Sequence, residues 1–129
     1  NAIDFYQSKL LSAVDMGFDG WMYDFGEYTS LSTEFSNGKR GLEMRNAYPE
    51  IYQKTCYDAL TSLKQPKEHH PFFPDPSSSS SFAPPYVYWH RSGYSKSGAL
   101  AWAHWTGDPS TDWSVESGLK GQISAVLSS

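Results

Sequence analysis

The chain has 129 residues, 14 acidic against 10 basic, with a formal net charge of −4 and one cysteine. A mildly acidic chain does not attract nucleic acid or an anionic membrane through its overall field, and a lone cysteine excludes an internal disulfide framework. No apolar run approaches the ~20 residues that span a bilayer, and no charged segment followed by an apolar one opens the chain as a signal peptide does.

Aromatic residues make up 16% of the chain. They supply buried area, and Trp and Tyr also line sugar and peptide sites with one polar end free. Ile3, Tyr6, Leu10, Leu11 and Val14 recur at helical spacing and predict a helix over residues 3–15, with Gly17 as its cap. The short aromatic stretch 18–23 reads as a buried strand. It runs into Asp24-Phe25-Gly26-Glu27, and residues 28–40 are loop-like. Tyr48, Ile51, Tyr52, Cys56, Leu60 and Leu63 mark a second amphipathic helix over about 43–64, with Cys56 on its apolar side. Eleven of the twenty residues from Pro66 to Pro85 are Pro or Ser. That composition cannot bury enough apolar surface to order itself, and predicts a surface insertion. A second strand is expected at 86–89, then a short helix or turn, a third strand at 100–105 and a last helix over about 112–127.

Strands alternating with helices point to parallel βα units. Three strands cannot close a barrel, and a full (β/α)₈ barrel takes ~250 residues. The fold class expected is therefore α/β, as a small open sheet or as part of a larger barrel.

Charged residues follow each expected strand: Asp24 and Glu27, then Arg91, then Asp108. The C-terminal ends of parallel strands share one edge, where ligands bind in barrels and open sheets alike. Two carboxylates meeting there are the equipment of glycoside hydrolysis, and Trp21, Tyr23, Trp89 and Trp105 would offer faces to a sugar ring. Spacing alone leaves a second reading open. Asp24 and Asp108 would serve equally as helix caps or turn residues, Glu27 as a loop tether, and Arg91 as a structural ion-pair partner. The histidines have no metal-ligand spacing beyond the adjacent His69-His70 in the insertion. Neither a Gly-rich dinucleotide loop, nor a Walker loop, nor a Gly-x-Ser-x-Gly elbow occurs.

Four segments carry a resemblance. Residues 17–28, Gly-Phe-Asp-Gly-Trp-Met-Tyr-Asp-Phe-Gly-Glu-Tyr, resemble the nucleophile region of glycoside hydrolase family 31, and Glu43-Met44-Arg45-Asn46-Ala47-Tyr48-Pro49 the helix after it. Arg91-Ser92-Gly93-Tyr94 is similar to the segment after the fifth barrel strand. Trp105-Thr106-Gly107-Asp108, with Thr111-Asp112-Trp113-Ser114, is similar to the acid/base segment after the sixth. The form of the first and last segments is most similar to the sulfoquinovosidase-like branch of the α-glucosidase relatives.

The resemblance implies a partial TIM barrel of about three βα units across residues 1–129, roughly the fourth to sixth, with the Pro/Ser-rich stretch as an embellishment. It implies hydrolysis of an α-glycoside with retention, with Asp24 as nucleophile and Asp108 as general acid and then base. Arg91, Trp105, Glu27 and Trp21 would bind substrate, and neither cofactor nor metal would be needed. The partners expected are a carbohydrate and the remainder of the barrel, with no nucleic acid or membrane. A non-catalytic carbohydrate-binding piece or an inactive truncated homologue is the alternative. The sugar recognised is not legible, because the groups that bind the sulfonate in that branch lie outside the matched segments.

Overall fold

The computed structural model describes residues 1–63 and 86–128. The expected Pro/Ser insertion and His69-His70 lie outside those residues. Helix α1 spans Ala2–Asp15. It closes with Gly17 at φ +94°, where the Gly17 N–H bonds the Val14 carbonyl and the Phe18 N–H bonds the Ala13 carbonyl. This crossed pair is a Schellman ending. It draws Phe18 out of the expected strand, and β1 is Gly20–Tyr23.

The expected second helix is two helices, α2 Gly41–Met44 and α3 Ala47–Thr61, with Arg45 and Asn46 between them. Pro49 sits in the first turn of α3, where a missing N–H is tolerated. Strand β2 is Val87–His90. A 3₁₀ turn, Ser97–Ala99, then consumes the start of the expected third strand: the Leu100 N–H bonds the Ser97 carbonyl at 2.9 Å. Strand β3 is therefore only Ala103–His104.

Helix α4 covers Leu119–Ser128 and begins seven residues later than expected. Side chains compete for the backbone donors ahead of it. Asp112 Oδ1 accepts the Ser114 N–H at 2.8 Å, and Ser114 Oγ accepts the Gly118 N–H at 2.9 Å. Local bonds of this kind hold a loop in place of a helical turn.

The three strands form one parallel sheet in the order β1-β2-β3. The register pairs Tyr23 with His90 and His90 with His104. Alternation puts Trp21, Tyr23, Tyr88 and His90 on one face. Tyr23 and Tyr88 make the core there with Cys56 and Leu60 of α3, and Tyr6, Leu10 and Val14 of α1 pack against it. Tyr23 and Tyr52 stack at 4.2 Å between centroids, and Tyr88 meets Tyr23 edge-on at 5.7 Å. Cys56 is wholly buried, and burial pushes its thiol up to about 12. The other face carries Met22 and Trp89, which are 51% and 38% exposed.

Candidate functional site

The register brings three strand ends level. Asp24, Arg91 and Trp105 each follow directly on the paired row Tyr23, His90 and His104. By alternation they share the open face with Met22 and Trp89. The Trp105 N–H still bonds the His90 carbonyl at 2.9 Å, so the third position is fixed by the sheet itself.

Arg91 ties the site together. Its Nη1 lies 3.2 Å from Asp24 Oδ1, and its Nη2 donates to Glu27 Oε1. Phe25, Tyr28 and Trp105 surround the guanidinium, with ring centroids 4.9, 5.7 and 5.5 Å from its carbon. A flat cation among aromatic faces is favourably placed. Partial burial works against its charge. The hydrogen bond and charge of Glu27, then the charge of Asp24, outweigh this and raise its pKa above the ordinary value. The guanidinium is thus fixed as a cation shared by two carboxylates. The structure shows Arg91 as the ion-pair partner of both Asp24 and Glu27.

The turn bearing Asp24 is unusual. Phe25 has φ +64° and Gly26 φ +97°. A bulky residue in the left-handed region costs about 1–3 kcal/mol and persists only when its surroundings impose it. Those surroundings are specific hydrogen bonds. Tyr52 Oη donates to the Asp24 carbonyl at 2.9 Å, and Ser92 Oγ donates to the Phe25 carbonyl at 2.6 Å. Asp24 Oδ1 accepts the Phe25 N–H at 2.7 Å. Gly26 leaves no room for a side chain: a Cβ there would stand 2.5 Å from Tyr52 Cδ1 and 2.8 Å from Ser92 Oγ.

Behind Ser92 lies a buried polar cluster. Gln53 and His90 are 0% and 3% exposed. Gln53 Nε2 donates to the Ser92 carbonyl at 3.2 Å, and His90 Nδ1 contacts the same carbonyl at 2.6 Å. A carbonyl only accepts, so Nδ1 carries the proton. Burial lowers the His90 pKa, which favours the neutral ring, against an opposing contribution from that hydrogen bond. The His104 ring stands 5.1 Å away, edge to face.

Asp108 lies in the loop after β3 and is exposed. It caps no helix, since the next helix among the described residues starts only at Leu119. A Cβ on its neighbour Gly107 would lie 3.9 Å from Arg91 Cδ, so this loop runs alongside the arginine. Trp105 Nε1 braces it by donating to the Gly107 carbonyl at 2.7 Å. Thr106 Oγ1 bonds Gln122 Oε1 of α4.

Trp21 and Tyr23 are not brought to this group. Both lie on the opposite face, against the helices. An all-apolar strand carries no polarity pattern to tell its faces apart. Sequence reasoning also missed Tyr52, Gln53 and Ser92 as contributors. Gln53 did leave a signal: it sits three residues before Cys56 and seven before Leu60, a polar side chain on the buried stripe. Among the described residues, no cluster of three or more His, Cys, Asp or Glu is arranged to hold a metal. No described helix is long and apolar enough to cross a membrane.

Comparison with known proteins gives concordant matches. The family described as the glycosyl hydrolases family 31 TIM-barrel domain matches residues 1–129. The sulfoquinovosidase of Escherichia coli strain K12 is 30% identical over 115 residues, which is 89% of this chain and 14% of that protein. The sulfoquinovosidase of Agrobacterium fabrum strain C58 is 28% identical over 99% of this chain and 17% of its own length. A solved family 31 sulfoquinovosidase from E. rectale, in complex with an aza-sugar inhibitor, superposes with a TM-score of 0.74 at 26% identity. That match covers 95% of this chain and 16% of the other. The chain thus spans about one-sixth of the length of the relatives it matches, and its three parallel strands are part of a TIM barrel.

Proposed function

This chain belongs to glycoside hydrolase family 31, and from that premise we propose that its strand-end edge supplies the reacting groups of a retaining α-glycosidase. The observation that carries the reading is the shared guanidinium. Arg91 holds Asp24 and Glu27 together on the open face of the parallel sheet, at the C-terminal strand ends where barrel active sites form.

Asp24 is the nucleophile. Its Oδ1 accepts the Phe25 N–H and faces Arg91, which leaves Oδ2 to attack the anomeric carbon. Asp108 gives its proton to the departing glycosidic oxygen as that bond breaks. A glycosyl ester on Asp24 results. Asp108, now a carboxylate, takes a proton from water as the water attacks the anomeric carbon; the bond from that carbon to Asp24 breaks, the Asp24 carboxylate is released, and the sugar leaves with its original configuration. Two inversions give net retention, and no redox partner or metal enters the balance.

Arg91, Glu27 and Trp105 line the sugar subsite. Glu27 Oε2 is buried without a hydrogen bond to any described residue, so it is an acceptor for a sugar hydroxyl. The aromatic rings around Arg91 give the sugar an apolar wall. The names of the relatives direct the first substrate to test, an α-linked sulfoquinovoside, with α-glucosides as the comparison.

The test is Asp24→Asn within the complete barrel. Turnover of aryl α-glycosides should fall at least a thousandfold, with the protein still folded. Retention of wild-type turnover would remove Asp24 from the mechanism. The first-formed anomer, read by NMR, should be α; a β product would make the enzyme inverting.

A further inference from the structure

We propose that Ser92 and Tyr52 are positioning residues that set the aim of the Asp24 carboxylate by holding the left-handed turn beneath it. The inference rests on the reading of Asp24 as nucleophile and goes beyond it by naming what holds that nucleophile in place.

Within the turn, the Phe25 N–H bonds only the Asp24 side chain, and the carbonyls are held from outside. Phe25 and Gly26 both have positive φ, at +64° and +97°, and isolated chain rarely keeps a phenylalanine there. The carbonyls of the two peptide groups on either side of Phe25, those of Asp24 and of Phe25, are each taken by one side-chain hydroxyl. Tyr52 reaches the Asp24 carbonyl from α3, and Ser92 reaches the Phe25 carbonyl from the end of β2. The two donors come from different elements, so the turn is held between a helix and the neighbouring strand.

The Ser92 hydroxyl has a defined direction. Gln53 Nε2 approaches Ser92 Oγ at 3.4 Å as a donor, so the serine proton is committed to Phe25. The Ser92 carbonyl takes donors from both Gln53 and His90. Ser92 is 6% exposed and fixed from both sides. Tyr52 is fixed likewise: its carbonyl accepts the Tyr23 hydroxyl at 3.1 Å, and its ring stacks on Tyr23. Neither Ser92 nor Tyr52 makes its bond to the Asp24 carboxylate itself, so each acts through the backbone.

The consequence is kinetic. A turn released from either hydroxyl can relax toward ordinary φ and carry the carboxylate away from Arg91. Misplacement of a reacting group by about 1 Å can cost on the order of a hundredfold in rate. Binding made equally in ground and transition states is little affected, so the loss falls on kcat.

The experiment uses Ser92→Ala, Ser92→Thr, Tyr52→Phe and Asp24→Asn in the complete barrel, with aryl α-glycosides as substrates and thermal melts to establish folding. Ser92→Ala and Tyr52→Phe should each lower kcat by about 10- to 100-fold with KM within about threefold. Ser92→Thr, which keeps the hydroxyl, should recover most of the loss. Tyr52→Phe keeps the ring, so it carries the test if Ser92→Ala does not fold. Folded Ser92→Ala or Tyr52→Phe with kcat within twofold of wild type, alongside an inactive Asp24→Asn, would overturn the positioning role alone. A loss confined to KM, or failure of Ser92→Thr to recover, would do the same. An active Asp24→Asn would instead overturn the nucleophile reading and this inference with it.

Discussion

Replacing Gly26 by alanine should be far more damaging than replacing Gly17, although both have nearly the same backbone conformation, at φ +97° and +94°. The shared cost is that of placing an L-residue in the left-handed region, about 1–2 kcal/mol. At Gly17 nothing lies within 4 Å of the added Cβ, so Gly17→Ala should cost that and no more. At Gly26 the new methyl meets Tyr52 Cδ1 at 2.5 Å and Ser92 Oγ at 2.8 Å. Neither neighbour can retreat cheaply. Tyr52 is stacked on Tyr23, and Ser92 is bonded to Gln53 and Phe25. Overpacking of this kind adds about 1–3 kcal/mol, for a total of about 2–5 kcal/mol. Urea unfolding of the two variants within the complete barrel, at unchanged m, reads the difference directly. Equal destabilisation, or Gly26→Ala within about 0.5 kcal/mol of wild type, would refute the claim that the turn is packed against Tyr52 and Ser92.

Three further outcomes are expected. His90 is held neutral by burial, so its folded pKa lies below the ordinary 6.5. Its contribution is intact above about pH 6.5. Below that, the unfolded chain takes up a proton that the folded chain refuses, and stability falls with falling pH. His90→Asn keeps a donor for the Ser92 carbonyl and should make the melting temperature less steep in pH between 6.5 and 5; an unchanged slope would contradict this. Cys56, wholly buried and with its thiol pushed up to about 12, should resist alkylation at pH 8 until the protein unfolds, and fast labelling of folded protein would contradict its burial. Residues 1–129 expressed alone, with Met22 and Trp89 bared on the open sheet face, should associate and lack a cooperative melt. A sharp, reversible melt of a monomer would count against that.

The order of elements was legible because periodicity and turn residues are local signals. The α1 pattern and Gly17 gave the first helix almost to the residue. The ends of elements were less legible where backbone donors found local partners. Phe18 closes α1, Leu100 closes the 3₁₀ turn, and Asp112 and Ser114 delay α4. Phe18 and Leu100 have propensities that suit the longer strand, and a nearby carbonyl wins; Asp112 and Ser114 take backbone N–H groups with their own side chains and so hold a loop.

At the candidate site, Asp24, Glu27, Arg91 and Asp108 could be placed on one edge, with Trp105 beside them, because parallel strands end together. The common face of Asp24, Arg91 and Trp105 could not be read, since it depends on a register that pairs Tyr23 with His90 and His104. Trp21 looked equally suited to a sugar and lies behind the sheet for the same reason. The support beneath Asp24 was the least legible part. Tyr52 and Ser92 lie 28 and 67 residues from the carbonyls they bond. Tyr52 fits the apolar stripe of α3 as well as any tyrosine, and only the fold shows where its hydroxyl ends.

The most direct test of the account is to trap the intermediate. The complete barrel is incubated with a fluorinated α-glycosyl substrate that forms the glycosyl-enzyme faster than water removes it, and the digested protein is mapped by mass spectrometry. The account predicts one added sugar, carried on Asp24 and absent from Asp24→Asn. A sugar found on another carboxylate, or turnover without any covalent adduct, would contradict it.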